Sequence, residues 1–545
     1  MEVPDDGSSL LEVLRDRLGL RSAKDGCSPQ GQCGCCTVLV DGSPRVACVT
    51  PARRVAGRAI TTLDGLSVTT RQRWTDAFAA TGASQCGFCT PGIIMRLVAA
   101  NHGEALDEGA ATRALLAHLC RCTGWRTIIE AATNLPSAGA DRERDLAAAA
   151  HRATLEGGAG QQVGPSVAAG CAGFADDLAP LDALVAVPDR QGGWAVGATL
   201  AQARAAAGTV PGRRSGAPLR HPIELPPGDW MVTLRTTWVE PAYVETDASW
   251  CLPGGEPATP LGNGGAFGGK LASPAPAAAR RLAAEFGRPV RALLSREDAV
   301  RLGPKRPPMA AGIRADGTGV VRVARTPGIA AAMRSVAPGL VVEEIDVPGP
   351  PTSADLRGAG WVEAAVLLAA CQGTQPVTVV APMTQAHATA AAGATTQAGA
   401  TTQVGATTQA RATAQVDATT QARATAEVEV DPEGRPGRVR VTVACGDPLD
   451  HVVLRSYCIG AAHMALSWVC SEGIAVDEGG APQDLTIRSF GVLRAVDMPP
   501  VEVIIEASTE APCNGSDAVF AAVAAATWLA QGLPPDWPTR RGSFA

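Results

Sequence analysis

The chain has no surplus of positive charge. Lys and Arg number 47 against 53 Asp and Glu, a net charge of −6. The basic face that a nucleic-acid binder needs is missing, which excludes that class of function. Aromatic residues make up only 4%, while Gly (60) and Pro (41) are abundant. That balance predicts many turns and some weakly folded stretches. No run of 18 apolar residues occurs, so no membrane-spanning segment is expected. The start, Met1 to Asp6, is acidic and lacks the apolar centre of a secretory signal, so the expected location is cytoplasmic. In that reducing compartment the 16 cysteines are not expected to form disulfides. Half of them stand in two tight groups, a pattern that points to metal ligation.

A length of 545 residues suggests three or four domains. Residues 8–19 read as a helix, with Ser9 and Glu12 as a capping box and Gly19 as its stop. Thr37–Val40, the turn Asp41-Gly42 and Val46–Val49 read as a β-hairpin. Helices are expected over Gly92–Asn101, opened by the cap Thr90 and by Pro91, and over Ala111–Leu119 and Trp125–Asn134. The expected divisions are 1–67, a ferredoxin-like domain; 68–136, a helical domain; 137–160, a patternless linker; and a mixed region split into 161–383 and 428–545. Strands are expected at Val439–Val443 and Val501–Ile505, and helices at Tyr457–Val469 and Ala518–Leu529. Between the two parts, 384–427 is a low-complexity insert built on six hexapeptide copies that run from Ala394 to Glu429. Their apolar content is mostly alanine, too little to offset the entropy of ordering. The expectation is a disordered surface insert; a β-solenoid is the alternative, and it needs bulkier inward residues.

The first cysteine group is Cys27, Cys33 and Cys36 on a glycine-rich loop, followed by Cys48. The spacing C-x5-C-x2-C-x11-C approaches that of plant-type [2Fe-2S] sites. Three thiolates on one loop must converge on two irons, so glycines let the backbone curl and aim N–H groups at sulfur. Cys35 is read as a bystander, because Cys36 keeps the x2 spacing from Cys33. The second group is Cys86 and Cys89 with Cys120 and Cys122, CxxC and CxC. Each pair precedes a helix, whose dipole offsets thiolate charge. Zinc is the competing reading for both groups. Cys171, Cys251, Cys371, Cys445, Cys458, Cys470 and Cys513 are expected to be buried, free thiols. His118 is expected on a helix surface.

GC…GQCGCCTVLVDG, QCGFCTPGIIM and LCRCTGW occur in one order over residues 8–135, and together resemble the iron–sulfur portion of the molybdenum hydroxylases, the xanthine dehydrogenases, aldehyde oxidases and their relatives. Leu261–Lys270, which ends Gly-Gly-Ala-Phe-Gly-Gly-Lys, resembles that family's Gly-Phe-Gly-Gly-Lys loop. Pro241–Glu245, Gly287–Arg291, Leu294–Asp298, Ala426–Val430 and Asp497–Glu502 extend the likeness. The resemblance implies an α+β multidomain fold: a β-grasp ferredoxin-like [2Fe-2S] domain, a four-helix [2Fe-2S] domain and a reduced α+β molybdopterin-binding-like region. It implies two [2Fe-2S] clusters and a molybdenum cofactor, molybdopterin-bound, with Gln85, Gly264, Gly265, Ala266, Phe267, Gly268 and Gly269 around it. The family's late glutamate base falls about at Ser516; Asp517, one position on, is the remaining candidate base.

Two readings follow. In one, the chain is a molybdenum hydroxylase-type enzyme that oxidises a small aldehyde or N-heterocycle. Electrons then pass through the helical-domain cluster and the ferredoxin-like cluster to an acceptor. In the other, it is an electron-transfer subunit whose later portion is catalytically inactive and docks a partner that holds the cofactor. No flavin-binding stretch is visible, so a flavoprotein or a molybdenum subunit is the expected partner.

Overall fold

The computed structural model describes residues 7–101, 106–135, 144–208, 212, 216–259, 265–382 and 421–541. The first helix begins at Leu10–Glu12 (α1) and continues as a π-helix over Val13–Arg17. Ser9 and Glu12 form the expected capping box. A three-stranded sheet follows, with order β2-β1-β3, from β1 (Thr37–Val40), β2 (Ser43–Val46) and β3 (Ile60–Thr61). Asp41 (φ 49°) and Gly42 (φ 76°) make the hairpin turn, which needs left-handed residues at both positions. The second strand comes earlier than the sequence suggested. Ala47–Val49, read as strand, is a 3-10 turn that carries Cys48.

Four helices then form the second lobe: α2 (Val68–Thr81), α3 (Thr90–Ala100), α4 (Glu108–Ala114) and α5 (Arg126–Thr133). The α3 cap is Cys89, not Thr90, so a cysteine sits at the helix N-terminus itself. The two lobes meet backbone to backbone. A Cβ built on Gly92 would overlap the Gly34 carbonyl oxygen and lie 2.8 Å from the Cys35 carbonyl oxygen. Leu119 N–H also donates to the Cys33 carbonyl at 3.0 Å.

The expected linker is not one. Its described part contains α6 (Leu146–Gly157), capped by Asp145 and stopped by Gly158 (φ 68°). Arg152 and Glu156 pair on it at 3.0 Å, both fully buried. A core face built from an ion pair and alanines carries no apolar periodicity, which hid the helix. Three four-stranded sheets complete the fold. The strands of the first are β4 (Leu184–Pro188), β5 (Trp194–Gly197), β7 (Ala248–Cys251) and β8 (Val290–Leu293), in the order β5-β4-β8-β7. Helix α7 (Ala275–Phe286) covers this sheet. The second has the order β11-β10-β9-β6, from β6 (Val232–Arg235), β9 (Met309–Ile313), β10 (Gly319–Ala324) and β11 (Leu340–Ile345). The last has the order β12-β13-β14-β15, from β12 (Val377–Val380), β13 (Arg423–Val430), β14 (Pro436–Ala444) and β15 (Val501–Ile505).

Strand β13 corrects the reading of the repeat. Its sixth copy, Ala424 to Glu429, lies in a strand paired on both sides, with Ala424, Ala426 and Val428 buried. Alternation of small apolar and polar residues suffices there, because Ala fits against a covering helix. Copies one to four lie outside the described residues.

Helix α8 (Trp361–Gln372) precedes β12, and helices α9 (His451–Cys470) and α10 (Ser516–Ala530) form the late core. Trp468 of α9 stacks on Phe520 of α10, centroids 5.4 Å apart. By length and composition α9 could cross a membrane, yet 89% of its apolar window is buried inside the protein. It passes against the second lobe. A Cβ on Gly460 would overlap the Cys122 carbonyl oxygen, and Ser456 Oγ donates to the Gly82 carbonyl at 2.7 Å.

Candidate functional site: two sulfur clusters and an adjoining cavity

Cys27, Cys33 and Cys36 converge from the glycine loop and Cys48 from the 3-10 turn, all four buried. The Cys27 thiol hydrogen-bonds Cys33 and Cys48, and Cys48 also meets Cys36. Backbone N–H groups of Gln30 and Gln32 point at Cys27 Sγ from 3.3 and 3.4 Å, and that of Cys48 at Cys36 Sγ from 3.5 Å. Hydrogen bonds from Cys33 and Cys48 hold the Cys27 thiol well below its ordinary range. Such donors stabilise thiolate, the form that binds metal.

In the second lobe, Cys122 Sγ lies 3.6 Å from Cys86 Sγ, and Cys89 hydrogen-bonds Cys120. The Cys89 contact, with help from Thr123 Oγ1 at 3.2 Å, draws the Cys120 thiol down to about 6. Among the described residues no group of three or more His, Cys, Asp or Glu closes on a single-ion position. In the first set the contacts run Cys33 to Cys27 to Cys48 to Cys36, and in the second Cys86 meets Cys122 and Cys89 meets Cys120. Four converging buried thiols in each set match the four cysteine ligands that a [2Fe-2S] cluster takes.

Cys35 is fully buried and turns to Cys33, not to Cys48, so Cys36 completes the set. His118 is buried rather than on a helix surface. Its ring packs on Gly34, its Nε2 lies 3.2 Å from Thr37 Oγ1, and burial lowers its pKa to about 3. It therefore remains neutral at the seam between the lobes. Cys171 is exposed, and Cys371 and Cys513 are half-buried; Cys251, Cys445, Cys458 and Cys470 are buried as expected.

The glycine-rich loop adjoins the second cysteine set. A Cβ on Gly265 would lie 3.0 Å from Cys122 Sγ, so only glycine permits that approach. Ala266 and Phe267 line a cavity with Gly265, Arg121, Arg357, Trp468, Glu472 and Phe520 among its walls. Gly268 packs on the Asp355 backbone, Gly269 on Tyr243 and Pro241, and Gly264 lies outside the described residues. Lys270, which ends the loop, forms a buried ion pair with Glu245 of the Pro241–Glu245 segment. That pair joins two sequence motifs directly. Burial raises the Glu245 carboxyl to about 7, only partly countered by Lys270.

Gln85 Nε2 donates to the Cys122 carbonyl and to Ser456 Oγ, both at 3.0 Å. Among the described residues its Oε1 has no partner, nor do Tyr457 OH or Arg357 Nε and Nη2, all buried. The Arg357 guanidinium lies 3.9 Å over the Phe267 ring, and both residues have positive φ (51° and 43°). Arg357 donates to Ser516 Oγ and Asp517 Oδ1, each at 3.0 Å. Asp517, the candidate base, is thus held by a guanidinium and also accepts from Asn514 at 3.3 Å. A different carboxylate reaches the start of α10: Glu156 accepts from Gly515 N–H at 3.1 Å and Ser516 N–H at 2.8 Å.

Unpartnered polar atoms beside Cys122 suit a polar heterocycle in character. Among the described residues the cavity at the loop measures about 40 Å³, room for two or three waters. Arg357, Glu156, Tyr457 and the Arg121–Glu472 pair were not found from sequence. Arg357 and Glu156 meet Ser516 from 159 and 360 positions away, and no local pattern encodes that. Arg121 does lie between two ligand cysteines, which was a usable signal.

A [2Fe-2S] binding domain model matches residues 62–133. The xanthine dehydrogenase iron-sulfur-binding subunit of Escherichia coli O157:H7 is 42% identical over 127 residues, 23% of this chain and 79% of that protein. The nicotine 6-hydroxylase small subunit of Paenarthrobacter nicotinovorans is 39% identical over 135 residues, 24% of this chain and 80% of that one. Among solved structures, the aldehyde oxidoreductase of Desulfovibrio gigas aligns with a TM-score of 0.64 over 96% of this chain and 95% of its own, at 15% identity. That last likeness is one of fold.

Proposed function

Because this chain belongs to the molybdenum hydroxylase family of oxidoreductases, we propose that it conducts single electrons between two [2Fe-2S] clusters, one on Cys86, Cys89, Cys120 and Cys122, the other on Cys27, Cys33, Cys36 and Cys48. The domain boundaries at 67 and 136 go with this reading. The convergence of eight buried sulfurs in two sets, on two lobes in backbone contact at Gly92, supports it most directly. A molybdenum cofactor, where one is bound, supplies the oxidation of a substrate, in this reading a small aldehyde or N-heterocycle.

The residues of this chain serve the conduction path. Gln85 and Gly460 fix the Cys122 carbonyl, Gly265 allows the loop to reach Cys122 Sγ, and the low-dielectric surroundings of both sulfur sets exclude water. His118 fills the seam without adding charge. Electrons leave from the ferredoxin-like lobe to a partner.

One reading of the later region is favoured by a specific observation. A serine stands at the expected base position, Asp517 is engaged by Arg357, and the adjoining cavity is about 40 Å³. These features favour an electron-transfer role in which a partner subunit holds the molybdenum cofactor. Metal analysis of the purified chain separates the two readings. Iron near four with no molybdenum, on the stoichiometry of two [2Fe-2S] clusters, supports the carrier. Molybdenum near one per chain overturns it in favour of the enzyme.

A further inference from the structure

The ferredoxin-like lobe carries a charge that the chain as a whole does not. Between Asp41 and Arg58 stand four arginines, Arg45, Arg53, Arg54 and Arg58, and one acid, Asp41, a local +3 in a chain of net −6. All four arginines are exposed. The segment closes on itself, since Asp41 N–H donates to the Ala59 carbonyl at 2.9 Å and the Asp41 carboxylate accepts from Arg58 Nε at 2.7 Å. The arginines therefore sit on one compact tip.

A cluster ligand lies within that tip. Cys48 follows edge strand β2, and its neighbour Val49 is 50% exposed, a large apolar side chain left in solvent. Val49 also packs against Gly31 of the cysteine loop, where an added Cβ would lie 3.0 Å from it. The second sulfur set is enclosed instead, with Gly460 of α9, Gly265 and the Val167 carbonyl packed on its backbone and sulfurs. An exposed apolar residue one position from a ligand, amid like charges, has the make-up of an electron-transfer contact: a small apolar centre and a charged rim that steers encounter.

We propose that this face docks a one-electron protein acceptor with an acidic surface, Val49 forming the centre of the contact and Arg45 and Arg54 its steering rim. The inference rests on the reading that Cys27, Cys33, Cys36 and Cys48 hold a [2Fe-2S] cluster from which electrons leave. In the transfer, the reduced ferrous–ferric pair becomes diferric and the acceptor gains that one electron; no proton moves and no bond forms or breaks.

The test follows oxidation of the dithionite-reduced full-length protein by two haem acceptors of opposite charge, acidic cytochrome b5 and basic cytochrome c, in a stopped-flow instrument. Between about 10 mM and about 1 M salt the Debye length falls from about 30 Å to about 3 Å. The rate to the acidic acceptor should fall about tenfold or more over that range, within the reach of electrostatic steering, while the rate to the basic one holds or rises. Arg45→Glu with Arg54→Glu should bring the low-salt rate to the acidic acceptor down to its high-salt value. Val49→Asp should slow it at both salt levels. Equal salt dependence for the two acceptors, or an unchanged rate in the charge-reversed variant, overturns the proposal. Binding of the tip to anionic phospholipid vesicles with no acceptor preference also overturns it. Loss of the paramagnetic signal of the wild-type reduced protein sinks the cluster reading instead. An intact signal with flat charge dependence sinks the docking face alone.

Discussion

Cys35 and Cys36 are adjacent, buried and chemically identical, yet only one closes the first sulfur set. Cys36 meets Cys48, whereas Cys35 turns to Cys33. Cys36→Ser should remove one of two [2Fe-2S] signals and about half the iron, while Cys35→Ser should keep both; iron assay and paramagnetic resonance distinguish them. The reverse result would mean that the x2 spacing misidentified the ligand. A second residue-level expectation concerns Glu245. Its carboxyl shifts from an ordinary 4.5 to about 7 on folding, chiefly through burial. The folded chain therefore keeps a proton that the unfolded chain releases between those values, so this group's contribution to stability falls as pH rises from about 4.5 to about 7. Urea midpoints measured over that interval should show less decline with pH in Glu245→Gln; an unchanged slope would assign the titration to another group. Lys270→Met, which leaves the buried carboxylate unpaired, should cost about 3–5 kcal/mol at neutral pH and above. The convergence of the eight cysteines into two sets was legible in the sequence because spacing and glycines are local. The places of Arg357 and Glu156 were not, because they meet Ser516 from 159 and 360 positions away.

At the scale of elements, the lobes depend on glycine. Gly92→Val would drive a side chain into the Gly34 carbonyl and the Cys35 backbone. Overpacking of that kind costs about 1–3 kcal/mol, and here the relief is separation of the lobes. The variant should bind both clusters yet lose magnetic interaction between them when both are reduced; undiminished coupling would show that the seam does not set the distance. Strand β13 offers another test. Ala424 is fully buried in the sixth repeat copy, so Ala424→Asp should destabilise the chain by several kcal/mol, as an unpaired buried carboxylate does. A neutral effect on thermal unfolding would contradict its place in the sheet. The hairpin at Asp41-Gly42 and helices α3, α5, α9 and α10 were readable from caps, turns and apolar period. Helix α6 was not, since its buried face is Arg152 and Glu156 between alanines. Strand β13 was hidden by its likeness to five preceding copies, whose apolar content is mostly alanine.

For the whole molecule, sequence likeness and fold likeness cover different ground. Identity near 40% is confined to about a quarter of the chain, the two sulfur-bearing lobes, while the aldehyde oxidoreductase fold extends over 96% of it at 15% identity. In the later region Arg357 lies over Phe267 and donates to Ser516 and Asp517, beside a cavity of about 40 Å³. Electron transfer between two clusters is the activity proposed for this chain. Paramagnetic resonance of the anaerobically prepared, dithionite-reduced protein, with spins and iron counted per chain, tests it most directly. The account predicts two distinct [2Fe-2S] signals that integrate to about two spins on about four irons. A colourless, silent protein carrying zinc on these cysteines would contradict it.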